Sequence, residues 1–355
     1  MLNNIDRIKN ALLEQGLDAL LILNPINRFF ATGFYSSAGA VLITRHSAWF
    51  FTDSRYIEAA ENAVMGARVN QVTHDSTYTE QIKTILAEHG ITSVAIEENT
   101  ITYSAYRDWR KKLKVKFAPA KSLISDLRMY KSAIDLEKIK KAERIAEKSF
   151  LETMPCISED ITEKELAAEM LYRFLKNGAD DKAFDTIVLS GSRTSMPHGE
   201  PESVKIGKGF LTIDFGVKLN GWCSDTTRTL CIGEPDEEMI KVYETVLKAQ
   251  EAGITEIRAG VKCRAVDAKA RAVIEKAGYG EYFGHGFGHG VGLEVHEAPN
   301  VSKSSKDSLA GGAVISAEPG IYLPGRYGVR IEDLLYVTET CCENITGLTK
   351  KLIVL

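Results

Sequence analysis

The residues that could do chemistry gather in the second half of the chain. Of seven histidines, four stand at 198, 285, 289 and 296, and the last three share the run GHGFGHGVGLEVHE. Glycine at 284, 286, 288, 290 and 292 makes this run a poor helix, so it is not the paired-histidine zinc helix of the HExxH type. Its spacing misses GxGxxG and no GK[ST] follows, which excludes a phosphate loop. The glycines are expected to let the backbone pass close to something bound. Upstream, FLTIDFGVKLNGWCSDTTRTLCI contains Asn220-Gly221, the signature of a two-residue type I′ hairpin turn. Such a loop sets Leu219 opposite Trp222 and Asp214 opposite Thr227. Asp214 and Asp225 then project from one face as diagonal neighbours. Two further acids, Glu318 in VISAEPGIY and Glu332 in YGVRIEDLLYV, lie in apolar strands that should carry them inward, with Arg330 on the same strand face as Glu332.

A carboxylate in a buried strand needs a cation or several donors to offset its desolvation. Either aspartate alone could cap a turn or pair with Arg228, and Arg330 alone could serve Glu332. A metal site accounts for all four acids together and also uses a histidine. Four carboxylates and one imidazole form an oxygen-rich set that suits Mn²⁺ and admits Co²⁺, Zn²⁺ or Fe²⁺, while the lack of thiolates argues against a structural zinc. Around one ion the negative charge would be excessive, but around two divalent ions it balances. Two such ions, typically ~3.5–4 Å apart, can share a bridging hydroxide and bring its pKa to roughly 7. The chemistry would be hydrolysis.

The elements that must position these residues fall into two α/β halves. In the first, helices are expected near 3–15, closed by Gly16, and near 54–64 with Asp53 as its cap, then at 77–88 and 103–113. Short strands lie at Ala19–Leu23, Ala40–Ile43, Ala48–Phe51 and Val94–Ile96. Arg28, Arg55, His46 and His74 are scattered there without catalytic grouping. A boundary is expected in DLRMYKSAI, giving domains 1–128 and 129–355. The second half opens with a long helix from Asp135 whose inner face carries Ile139, Ala142, Ile145, Ala146 and Phe150, with Lys and Glu elsewhere. A second helix starts at the capping box Thr162–Glu165 and closes at Asn177-Gly178. Helices at 237–251 and 264–277 alternate with strands at 186–190, 210–218, 222–231, 313–317 and 329–337, an α+β pattern with an antiparallel sheet.

Composition narrows the class. The 355 residues are 44% hydrophobic and 26% charged with a net charge of −4, which gives no electrostatic reason for a nucleic-acid or anionic-membrane partner. No apolar run is long enough to cross a bilayer, and the N-terminal stretch has no continuous apolar core of a signal peptide. Six cysteines without a CxxC pair do not make a disulfide scaffold. The expectation is a cytoplasmic protein with reduced thiols. Cys223, two residues from Asp225, is expected to be buried and inert.

The motifs DFG…SDTTRT, GHGFGHGVGLEVHE, AEPGIY and RIED, in this order, resemble the pita-bread metallopeptidases, specifically aminopeptidase P and prolidase. FDTIVLSGSRTSMPHGEP and the N-terminal FFATGFYSSAGAVLITRHSAWFFTDSRY look like the same family. The resemblance covers nearly the whole chain. It implies an α/β N-terminal creatinase-like domain and an α+β C-terminal pita-bread (creatinase/aminopeptidase) domain. It implies metal ligands at Asp214, Asp225, His289, Glu318 and Glu332, with Asp225 and Glu332 bridging both ions. By the same resemblance His198 and His296 meet the scissile region or its oxyanion, and His285 helps enclose the proline ring. Arg330 holds carboxylate ligands in place, and Glu318 shuttles a proton to the leaving nitrogen. The implied activity is hydrolysis of an Xaa-Pro bond at a peptide N-terminus, as an Xaa-Pro aminopeptidase or alternatively as a dipeptidase, in a homodimer whose substrate carries proline second. A methionine aminopeptidase would lack an N-domain of this size, and a creatinase would do without the metals. A non-catalytic module of this fold that only binds proteins or peptides would have lost metal ligands that are all kept here.

Overall fold

A computed structural model describes residues 3–355, which divide into two compact units, one ending at Arg128 and the other running Met129–Leu355. The first unit is an α/β layer structure around a six-stranded mixed sheet. Its strand order is Arg68–Gln71, Ala48–Thr52, Ala40–Thr44, Ala19–Ile22, Ser93–Ile96 and Lys116–Pro119. The middle strands are buried throughout, which fits their continuous apolar composition. Helices Asn4–Glu14, Tyr78–Glu88 and Tyr103–Leu113 lie where capping and periodicity put them. Helix Pro25–Thr32 was not expected from the sequence. Asn24 accepts the N–H groups of Ile26 and Asn27, Pro25 occupies the first turn and Gly33 ends the helix at φ +71°, so its signals were all present. The strand Arg68–Gln71 was not expected either. The cap expected of Asp53 is corrected, because helix Ile57–Ala63 starts beyond its reach and Asp53 instead takes the Arg55 N–H and guanidinium.

The second unit is α+β. The expected boundary segment is partly helical, as Leu123–Met129 runs into it. Helix Ala133–Thr153 begins at a capping box, Ser132 with Asp135, and a second capping box at Thr162 starts Glu163–Lys176. These two helices bury Phe150, Met170 and Phe174 against Phe215, whose ring stacks on Phe150 at 5.1 Å. A second pair, Glu237–Ile254 and Cys263–Lys276, covers the other core, where Val246, Phe287, Ile315 and Leu335 meet. Between the pairs run antiparallel sheets. One joins Ile187–Ser190, Gly209–Phe215 and Thr226–Ile232; another orders Glu297–Val301, Gly288–Gly290, Val314–Ala317, Asp333–Val337 and Cys342–Asn344. Gly320–Leu323 and Tyr327–Arg330 form a separate hairpin. No helix among the described residues is long and apolar enough to cross a membrane.

The hairpin register is the one the Asn220-Gly221 turn requires. Leu219 pairs with Trp222 and Asp214 with Thr227, and the two turn residues sit at φ +49° and +82°. Three expected strands prove to be six. The ladders break at Gly216, at Ser224–Asp225 and at Ile331–Glu332. Glu143 corrects the expected solvent face of the long helix: it is fully buried, because two threonine hydroxyls meet it on the inner side.

Part of the glycine run is required by close backbone packing. A Cβ at Gly288 would lie 2.1 Å from the Ser316 carbonyl oxygen, and one at Gly290 would lie 2.1 Å from that of Ala298. Gly288 and Gly290 thus admit neighbouring strands, and Gly286 and Gly288 also line the cavity described below. Gly288→Ala should therefore lower unfolding stability by roughly 1–3 kcal/mol through overpacking. Gly284→Ala, where a Cβ meets nothing within 4 Å, should cost less than about 0.5 kcal/mol in the same urea titration.

Candidate metal centre

Three of the five expected ligands stand at strand interruptions or ends, and Asp214 and His289 lie inside strands. Asp225 precedes Thr226–Ile232, Glu318 follows Val314–Ala317, Glu332 separates Tyr327–Arg330 from Asp333–Val337, and Asp214 lies one residue before the end of Gly209–Phe215. His289 sits inside Gly288–Gly290 at a register shift. Each backbone position is tied across the sheets. The Glu332 N–H donates to the Thr227 carbonyl (3.1 Å) and the Glu318 N–H to that of Phe287 (2.8 Å). The His289 N–H donates to the Ser316 hydroxyl (3.0 Å), and Gln250 donates to the Ala317 carbonyl (3.1 Å).

The side chains converge. Donor atoms of Asp225, His289 and Glu332 all lie within 4.8 Å of one another. His289 Nε2 is 3.6 Å from Asp225 Oδ2 and 3.1 Å from Glu318 Oε1. Arg330 is buried and donates to Asp214 Oδ2 at 2.6 Å, to the Thr227 hydroxyl at 3.1 Å and to the Tyr322 hydroxyl at 2.9 Å. The alternative in which Arg330 serves Glu332 is thus corrected: Arg330 holds Asp214, and Glu332 takes the Thr227 hydroxyl at 2.7 Å. Arg228 is likewise committed elsewhere, to Asp333 at 2.8 Å and to the carbonyls of Thr227 and Glu332.

This charge distribution calls for cations. Burial, then the charges of Glu332, Asp214 and Glu318, drives Asp225 well above the usual carboxylate range. Burial with Glu318 and Asp214 does the same to Glu332. Burial also acts to raise Glu318, but the hydrogen bond and charge of His289 outweigh it and hold Glu318 at about 2. Asp214 Oδ1 is buried with no hydrogen-bond partner among the described residues, a lone pair left open beside two further acids. Four carboxylates with one orphaned oxygen and an imidazole fit divalent ions of the Mn²⁺ type.

A cavity of about 650 Å³ opens over these residues and is also lined by His198, His285, His296, Tyr322, Phe184, Ile187 and Val295. All the site residues expected from the sequence therefore meet in one place. His198 and His296 are exposed at its rim, and the His296 ring lies 4.1 Å from that of His289. His285 bonds to the Gly286 carbonyl (2.8 Å) and the Tyr322 hydroxyl (2.9 Å), and burial lowers its pKa. Tyr322 was missed by sequence reasoning. The signal was the hairpin itself: Gly320 pairs with Arg330, and the tyrosine hydroxyl occupies the space a Cβ at Gly320 would need. Cys223 is buried, with its thiol 3.8 Å from the Leu293 carbonyl.

This fold with this site defines a metallopeptidase. Residues 137–339 match metallopeptidase family M24 and residues 4–130 the creatinase/prolidase N-terminal domain. The chain belongs to metallopeptidase family M24 and is a metallo-exopeptidase. It is 39% identical to an Xaa-Pro dipeptidase from Bacillus anthracis, with 99% of each chain covered and a TM-score of 0.95. An X-Pro aminopeptidase from Thermotoga maritima is 36% identical, covering 98% of this chain and 100% of that one, with a TM-score of 0.91. The Xaa-Pro dipeptidase of Pyrococcus furiosus is 34% identical over 99% of this chain and 100% of its own length.

Behind the site, Glu143 accepts hydrogen bonds from Thr226 (2.5 Å) and Thr346 (2.9 Å), and its second oxygen has no partner among the described residues. Burial, opposed by those two bonds, pushes it up from 4.5 to about 8. The folded chain then keeps a proton that the unfolded chain has released, so stability falls as pH rises from about 4.5 through about 8. Urea unfolding of metal-free protein should show this decline. Glu143→Gln should flatten it by up to about 1 kcal/mol per pH unit, and an unchanged slope would mean that Glu143 ionises normally.

Proposed function

We propose that the protein is an Xaa-Pro dipeptidase, a prolidase, carrying two divalent ions, Mn²⁺ by preference. The similarity to Xaa-Pro dipeptidases along the entire chain carries this reading, and it favours the dipeptidase, the alternative in the sequence analysis, over the aminopeptidase put first there, although the motifs are common to both. Asp214, Asp225, His289, Glu318 and Glu332 would hold the ions. When bound, such a pair supplies Lewis acidity and a water whose pKa is lowered to about 7.

The chain's own groups do the rest. His198 and His296 reach over the cavity rim and donate to the oxygen of the scissile carbonyl as charge develops there. Glu318, ionised by its contact with His289, accepts the proton and passes it to the leaving proline nitrogen. His285 and Tyr322 form a fixed polar wall, and Phe184, Ile187 and Val295 offer apolar surface for the pyrrolidine ring. Proline needs such a pocket because its tertiary amide has no N–H to donate. Arg330 keeps Asp214 aimed. The working unit is a homodimer.

One observation favours the aminopeptidase instead. Among the described residues Arg330 is the one arginine or lysine lining the cavity, and it is committed to Asp214, Thr227 and Tyr322. A free proline carboxylate would thus find no uncommitted cation among the lining residues, whereas a longer peptide needs none.

Chelator-treated protein should be inactive and should recover on adding Mn²⁺. Asp225→Ala should lose more than about 10³-fold in kcat/KM, and Mn²⁺ should no longer raise its melting temperature. If both proteins ignore Mn²⁺ in melting and activity, the metallopeptidase site is misassigned. Release of the first residue from an Xaa-Pro dipeptide but not from Xaa-Pro-Yaa-Yaa should identify the dipeptidase; preference for the longer peptide would transfer the assignment to the aminopeptidase.

A further inference from the structure

His198 stands exposed on a surface loop, yet the loop is held as tightly as a core segment. The Arg193 guanidinium spends every nitrogen on it. Nε donates to both oxygens of Glu163 (3.2 and 3.0 Å), one terminal nitrogen to Glu202 Oε1 (2.8 Å) and the other to the Glu200 carbonyl (2.6 Å). Glu163, wholly buried, also accepts the N–H groups of Ser190 (2.8 Å) and Glu202 (3.1 Å). One carboxylate and one guanidinium thereby join the end of a sheet strand, the turn Gly191–Ser195 and the far side of the loop at 200–202.

The segment between is pinned from two more sides. The Gly199 N–H donates to the Met196 carbonyl (3.1 Å), and Arg330 donates to the Pro197 carbonyl (3.3 Å). The Thr194 hydroxyl takes the Gly328 N–H (2.8 Å), docking the turn on the hairpin that carries Arg330. Neither Arg193 nor Glu163 lines the cavity, so neither touches substrate.

We infer that Arg193, anchored by Glu163, is a positioning residue that sets His198 over the reacting carbonyl. A rim histidine on a free loop would have to be ordered at each turnover, and small misplacement of a donor is costly in rate. A multidentate guanidinium on a buried carboxylate fixes the loop before substrate arrives. The inference rests on the reading of His198 as an oxyanion donor.

A double-mutant cycle on the Mn²⁺-loaded enzyme tests it, using the Xaa-Pro peptide that the wild type turns over faster. His198→Ala should lower kcat by about 10²-fold. Arg193→Met should lower kcat about tenfold with KM within about twofold, and in the His198→Ala background it should cost less than about twofold. Arg193→Lys, which keeps the charge on Glu163 but cannot reach all three partners, should fall between, and it completes the cycle should the methionine variant fail to fold. Equal losses in both backgrounds, or no loss in the wild type, would overturn the positioning role. An unimpaired His198→Ala would instead remove the reading of His198 itself.

Discussion

Four carboxylates share one buried space, and the surrounding architecture is arranged to keep them there. Left to themselves they would spread apart or take up protons, as the raised pKa values of Asp225 and Glu332 record. The fold neutralises them only in part: Arg330 is bonded to Asp214 and His289 faces Glu318, while Asp225 and Glu332 have no basic group hydrogen-bonded to them among the described residues. It also restrains their backbones. Arg228 ties the carbonyls of Thr227 and Glu332 to Asp333, Gln250 holds Ala317 beside Glu318, and Glu143 joins Thr226 to Thr346. The restraint comes from groups behind the acids, which leaves the front of the site for cations.

Placing Asp225, Glu318 and Glu332 at strand interruptions or ends follows from the same constraint. Within a regular ladder a side chain can point only up or down from the sheet. A break frees the direction while the flanking residues keep their pairing, as Arg330 with Gly320 and Asp333 with Ala317 do on either side of Glu332. Strands carrying such breaks must pass close together, so glycines occur where one backbone would otherwise strike the next, at 288 against Ser316 and at 290 against Ala298. The glycine run and the acid cluster are two aspects of one packing problem.

The histidines are handled differently from the acids. His289 is enclosed among the carboxylates, and His285 is locked by Tyr322 and its own backbone. His198 and His296 stand at the rim, where substrate must come and go, and their precision depends on what holds their loops. For His198 that is the Arg193–Glu163 pair; beside His296, Glu297 is held by the buried Lys131 at 2.5 Å. The two rim histidines are exposed, whereas Glu163 and Lys131 beside their loops are buried.

Much of this was written in local sequence. The Asn220-Gly221 turn alone gives the register that sets Asp214 opposite Thr227, because the period of two leaves no freedom once the loop length is known. The capping boxes at Ser132 and Thr162 give helix starts, and the order of acids and histidines gives the candidate site and the family. Helix Pro25–Thr32 was legible too, from Asn24, Pro25 and Gly33, though its apolar content reads as well for a strand. What the chain could not declare were its long-range partners. Whether Arg330 serves Glu332, two residues away, or Asp214, 116 residues away, depends on how two sheets meet, as do the inward turn of Glu143 and the neighbours of each glycine. Local pattern fixes which residues share a face, since that follows from backbone period. Which distant face they meet is fixed only when the sheets and helices pack, since that depends on the shape of all the side chains at once.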